Sequence, residues 1–227
     1  GTPNVLAVDE TQGVIHLAPL AGIALYARLD REQLVAAAQR AGATLRSLHM
    51  LAQPDEAVAH TALDEVKVLQ RWQEHLARVA PGLLAPFQAL AKPVCAALTA
   101  GVSSPVLLHR DFYDKQVFWD ETGSGAAADG LLDFDTLAVG EAALDLANAL
   151  VHFELRALQG ACLPELAQAA AAALVTGYAP DQAVRSRVQV YADATRLRLA
   201  CVYACRPGEI SLSPQLFAQV GRPLVLP

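Results

Sequence analysis

The sequence predicts an α+β fold, mainly helical, with a small β insert near its middle. Two observations carry that expectation. Apolar residues recur at helical spacing through most of the 227 positions, and between two such regions lie three short strand-like runs, Val106–Leu108, Val117–Trp119 and Leu131–Asp133. The chain is 54% hydrophobic, so it can bury a full core as one large domain or two small ones.

In order, Val5–Val8 and Gly13–Leu17 read as two strands joined by a turn over Asp9–Gly13, and Pro19 with Gly22 breaks the run. Asp30 with Gln33 resembles a capping box, and Leu34, Ala38, Ala41, Leu45 and Leu48 then mark a helix to about His49. A second helix is expected from about Asp64 to Ala80, with Val66, Leu69, Gln73, Leu76 and Val79 inward and Pro81 ending it. Residues 84–100 look helical, but Pro93 removes a backbone donor and is expected to kink or split the segment. The last two strand-like runs flank Asp120–Gly130, read as a hairpin loop. From Glu141 onward the chain reads as helices over roughly 141–158, 163–176 and 179–205, closed by Arg206-Pro207-Gly208.

Net charge is −6, which gives no general attraction to nucleic-acid or anionic lipid surfaces, so neither partner is expected. The longest apolar stretches, such as 167–176, are interrupted before the ~20 residues that span a bilayer, and the opening residues show no charged region followed by an apolar one, so secretion is not expected. The chain opens on Gly-Thr-Pro rather than Met, and Gly1 is read as a processing or expression scar. Cys95, Cys162, Cys201 and Cys205 form neither a disulfide framework nor a complete zinc set and are expected to be reduced core residues.

The chemistry concentrates in His109-Arg110-Asp111-Phe112-Tyr113-Asp114-Lys115-Gln116 and, after a Gly-containing turn, Leu131-Leu132-Asp133-Phe134-Asp135. A carboxylate on a loop after a buried strand can accept a hydroxyl proton. A second carboxylate ending the next hairpin strand can face it and bind a divalent metal, which is the minimum equipment for phosphoryl transfer. Asp111 is the candidate base, Asp133 and the Gln116 amide oxygen candidate metal ligands, and Asp135 a candidate for a second metal. His109 and His49 lack a partner at ligand spacing and read as structural histidines. Leu132-Asp133-Phe134-Asp135-Thr136 also fits the pattern of haloacid dehalogenase-type phosphatases, with Asp133 as nucleophile and Asp135 as acid. That motif normally opens a doubly wound α/β domain, and here nearly all of the remaining chain reads as helix.

These segments, with Gly140-Glu141-Ala142-Ala143-Leu144-Asp145-Leu146-Ala147 and the upstream Leu45-Arg46-Ser47-Leu48-His49, resemble the aminoglycoside phosphotransferase and choline kinase-like family, whose fold is protein kinase-like. The resemblance implies ATP and Mg²⁺ as cofactors and a hydroxyl on a small molecule as acceptor, in the cytoplasm. It implies Asp111 as base, Gln116 and Asp133 as metal ligands, and Asp145 as a buried brace supporting the loop with His109. It also implies that residues 1–22 are the end of a small β lobe and a hinge, with adenine against Leu17, Ala18 and Leu20. Residues 23–227 would be a helical large lobe holding the catalytic loop (109–116) and the metal-binding Asp-x-Asp (133–135).

Two departures stand out: Gln116 replaces the family's usual Asn, and the lysines are Lys67, Lys92 and Lys115, none before the hinge. A chain lacking most of its small lobe, with little turnover by itself, is therefore expected. A catalytically silent kinase-like binding module is the alternative. An acidic cleft would suit a cationic acceptor, although metal-bound nucleotide draws on the same charges.

Overall fold

The computed structural model describes residues 1–28, 33–120 and 129–224. Its strands are β1 (Val5–Asp9), β2 (Val14–Leu17), β3 (Ile23–Ala24), β4 (Ala59–His60), β5 (Pro105–Leu108), β6 (Val117–Trp119), β7 (Asp129–Leu131) and β8 (Ala138–Glu141). Its helices are α1 (Gln33–His49), α2 (Ala62–Val79), α3 (Leu84–Thr99), α4 (Ala143–Leu158), α5 (Pro164–Tyr178), α6 (Gln182–Ala204) and α7 (Leu212–Phe217), with single 3₁₀ turns at Leu25–Arg28 and Pro81–Leu83. Asp30 of the expected capping box and residues 121–128 of the expected hairpin loop lie outside the described residues.

Three small sheets frame the helices. β1 and β2 form an antiparallel hairpin, β3-β6-β7 a second antiparallel sheet, and β4-β8-β5 a third in which β4 runs parallel to β8. Val5, Leu6, Val8 and Ile15 of the first hairpin are exposed. Gly1 extends the second sheet by one residue, accepting at its carbonyl from Leu131 N–H at 2.9 Å and donating from its amine to Asp129 O.

The core is helical. α4 is apolar over most of its circumference and is buried from Ala143 through Phe153, packed between α5 and α6. α1 lies along α5 so closely that a Cβ on Gly42 would sit 2.0 Å from Leu174 O, and one on Gly177 1.8 Å from Gln39 O. Backbone meets backbone there, so nothing flexible can give way. Gly177→Ala is therefore expected to cost about 2–3 kcal/mol of stability by overpacking. Urea denaturation checks this, and a loss below about 0.5 kcal/mol would show that the two helices can part cheaply.

Where the fold departs from the sequence reading, local physics explains it. α2 begins two residues early because Thr61 and Asp64 close a capping box. Val79, expected inward, is 53% exposed at the fraying end. α3 runs unbroken through Pro93, because Pro93 and the carbonyl-bearing Ala89 it deprives of a donor both face solvent. The segment 81–99 is long and apolar enough by composition to cross a membrane, contrary to expectation, yet Phe87, Ala91, Val94 and Leu98 of α3 are buried in the core and α3 packs on α2 and α6. The sequence reading does not anticipate β3, β4, β8 or α7. β7 ends at Leu131, so Asp133 lies beyond the strand rather than at its end. The four cysteines are free thiols.

Candidate functional site

Asp111 and Asp133 converge because two loops are laced to each other. After β5, His109 is fully buried, and its Nδ1 accepts from Asp111 N–H at 3.3 Å. That leaves Nε2–H to donate to Leu132 O at 2.8 Å, so one imidazole spans the two loops in a fixed tautomer. Thr136 Oγ1 donates to His109 O at 2.9 Å, Arg110 Nη1 reaches Thr136 O at 3.3 Å, and Leu132 N–H donates to Gln116 O at 3.0 Å. β6 and β7 pair Val117 with Leu131 directly alongside.

The Gln116 amide then bridges the two carboxylates, its Nε2 donating to Asp133 Oδ2 at 2.9 Å and to Asp111 Oδ2 at 3.4 Å. A donor sits between two acidic oxygens where a cation would be equally welcome. Turning the amide about its terminal torsion presents its oxygen instead. Asp133 and Gln116 are hard oxygen ligands, and Mg²⁺ commonly takes only one or two protein ligands and keeps waters or phosphate oxygens for the rest, so the residues present fit that ion. Asp135 does not join them. Beyond β7 the extended alternation that would aim positions 133 and 135 alike is lost: Asp133 has φ 66°, and Asp135 opens an exposed turn. Among the described residues no group of three His, Cys, Asp or Glu side chains is placed to hold a metal ion.

Burial pushes the Asp111 carboxyl above its ordinary range, against the pull of the Gln116 amide and Arg198, and the Asp133 carboxylate adds to the rise. The backbone around it is strained. Arg110 has φ 68°, a left-handed conformation that costs a non-glycine residue roughly 1–3 kcal/mol unless its surroundings enforce it. Asp145 is the enforcer. Fully buried in the first turn of α4, it accepts Arg110 N–H at Oδ1 and His109 N–H at Oδ2, both at 2.7 Å. His49, at the end of α1, adds a third contact through Nε2 at 3.1 Å. Tyr178, its phenol pushed up to about 12 by burial, sits 2.8 Å from His49 Nδ1 and completes a buried chain from α5 to the loop.

Several supports go beyond the sequence reading. Asn148, one turn along α4, donates to Phe112 O at 3.0 Å and accepts from Arg198 Nη2 at 2.7 Å. Arg156 grips Asp114 with two hydrogen bonds of 2.8 and 3.0 Å. His152 stacks on Tyr113 with ring centroids 4.3 Å apart. The signal was present: positions 145, 148, 152 and 156 are polar residues at helical spacing on one face of α4, whose remaining residues are apolar apart from Glu154.

Of the residues expected near adenine, Leu17 is exposed at the end of β2, Ala18 N–H donates to Asn4 O at 2.8 Å, and Leu20 lies against β7. A Cβ on Gly130 would come within 2.6 Å of Leu20 Cδ1. Of the three, Leu20 therefore lies beside β7, which leads to Asp133.

The chain matches the profile described as the phosphotransferase enzyme family, APH, over residues 2–184. No curated protein sequence matches it. Among solved structures, a choline/ethanolamine kinase family protein from Mesorhizobium loti superposes with TM-score 0.66 at 17% identity, covering 96% of this chain and 73% of that one. Ethanolamine kinase from Plasmodium vivax gives 0.68 at 12% identity, over 97% and 67%. An aminoglycoside phosphotransferase from Streptomyces rimosus, solved with ADP and streptomycin, gives 0.59 at 18% identity, over 88% and 75%. At such identities the likeness is one of fold.

Proposed function

Since the chain belongs to the phosphotransferase enzyme family, kinase-like phosphotransferases of small molecules, and has the mixed α+β kinase-like fold, we propose that it transfers the γ-phosphoryl of ATP to a hydroxyl of a small molecule in the cytoplasm, with Asp111 as base. One observation carries this reading: the Gln116 amide contacts Asp111 and Asp133 together, so a proton acceptor and a metal ligand share one mouth.

In the proposed arrangement Asp133 and Gln116 hold Mg²⁺, which would neutralise charge on the phosphates when bound. Asp111 orients the acceptor hydroxyl and takes its proton as the oxygen attacks. Its half-burial raises its basicity in the direction such a role needs. His109, Asp145 and Asn148 keep the loop from relaxing, so the base is already aimed before substrate arrives. Adenine is placed against Leu17, Ala18 and Leu20, where Leu20 rests on Gly130. Residues 1–22 then act as the strand-and-hinge segment and the rest as the large lobe. Asp135 has no part in it. The phosphatase reading is not favoured, because the strand before Asp133 is one of three in a small antiparallel sheet rather than part of a parallel, doubly wound one.

Calorimetric titration of the complete gene product with ATP, with and without Mg²⁺, tests the reading. Metal-dependent binding is expected, and Asp133→Asn should weaken it at least tenfold while leaving metal-free binding unchanged. Equal affinity with and without Mg²⁺, or no effect of Asp133→Asn, would remove Asp133 from the metal site.

A further inference from the structure

A cleft of about 570 Å³ opens beside the same loop, walled by Tyr26, Lys115, Arg156, Tyr203 and Arg206, with Glu209 as its one acidic wall residue. Lys115 lines the cleft and Arg156, in its wall, pairs with Asp114, so the cleft borders the loop that carries Asp111 and Gln116. Its aromatic rings carry cations rather than compete with them. Lys115 and Arg156 lie 4.9 and 4.6 Å from the Tyr26 ring centroid, and Arg206 lies 4.9 Å from that of Tyr203.

The charges do not cancel. Arg156 is matched by Asp114, but Glu209 approaches Arg206 only at 3.9 Å, and among the described residues no carboxylate pairs with Lys115. Arg198 adds to the excess: half-buried, it donates to neutral Asn148 and has no ion pair among the described residues. Lys115, Arg156 and Arg206 line the cleft, and with Arg198 they all bear on the buried His152 ring; Arg198 bears on Asp111 as well. Cations gathered in a concave wall attract a negatively charged group and repel a positive one.

Resting on the phosphotransferase reading above, we propose that this cleft binds an oxyanion, a carboxylate or phosphate, carried by the acceptor whose hydroxyl faces Asp111. Lys115, exposed and without a carboxylate partner among the described residues, and Arg206, exposed and paired with Glu209 only at 3.9 Å, are its principal anchors. The same charges disfavour a quaternary ammonium or polyamine acceptor.

The test is a metal-free, nucleotide-free titration of the complete gene product with sulfate, with acetate and with tetramethylammonium. Sulfate and acetate distinguish a tetrahedral from a planar oxyanion, and the tighter of the two names the group. Expected is saturable anion binding that falls at least tenfold in Arg206→Glu and in Lys115→Glu, with no binding of tetramethylammonium. Both positions are at the surface, and an unchanged thermal midpoint shows that the variants fold. No anion binding, anion binding indifferent to both substitutions, or saturable tetramethylammonium binding would each overturn the proposal. Should anion binding depend on Arg206 and Lys115 while Mg²⁺-ATP fails to bind, the phosphotransferase reading falls alone: the acceptor assignment goes with it, and the anion site stands.

Discussion

Asp145→Ala is expected to cost roughly 3–5 kcal/mol of folding stability, as removal of one partner from a buried charged network does. The substitution strips acceptors from two buried main-chain N–H groups and from His49 at once, and leaves the left-handed Arg110 without the contacts that enforce it. For a chain of this length each kcal/mol lowers the melting midpoint by about 2–4 °C, so a fall on the order of 10 °C should be visible in a simple thermal scan. Asp145→Asn separates shape from charge. Its remaining oxygen can serve one amide, but its NH₂ then faces another donor, so it should recover only part of the loss. A decrease below about 1 kcal/mol for the alanine variant would mean that the loop holds its own conformation.

The second large effect is on chemistry. Asp111→Ala should lower kcat by roughly 10³-fold, within the range a positioned base supplies, while the affinity for Mg²⁺-ATP stays within about twofold. Stability should hold or rise slightly, since the substitution removes a half-buried carboxylate that lies near Asp133. Steady-state kinetics and calorimetry on the complete gene product measure the two quantities side by side. Turnover within tenfold of the parent would take the role of base away from Asp111.

Much of the site was legible because it is nearly contiguous: the octet 109–116 and the Asp-x-Asp stretch each announce a turn, a carboxylate and a strand at fixed offsets. The contacts that bring them together were less visible. The His109 bridge to Leu132 O and the Gln116 bridge between carboxylates use side chains whose directions depend on a hairpin whose strands are only three residues long. The supports from α4 and α6 were hidden for a different reason. Asn148 and Arg198 meet only after two long helices cross, and nothing local to either residue encodes that crossing. β3 and β4 are two residues each, too short for any alternation to register, and they exist because neighbouring strands offer them backbone partners. The helices were read well because apolar periodicity is a local property. The net charge of −6 is a sum over the whole chain and does not say where charges lie, so the basic residues lining the cleft beside the loop were not legible in it.

The face of α4 that carries Asp145, Asn148, His152 and Arg156 turns that helix into a ruler. Asp145, Asn148, His152 and Arg156 address successive points along the loop from His109 to Asp114. Each residue added to a helix rotates the downstream turns by about 100° and advances them about 1.5 Å. Inserting or deleting one residue between 145 and 156 would thus swing Arg156 off Asp114 while leaving Asp145 in place, twisting the loop apart at its middle. The interval between those two positions is matched to the loop it measures, so a length change should be tolerated only toward the ends of the helix.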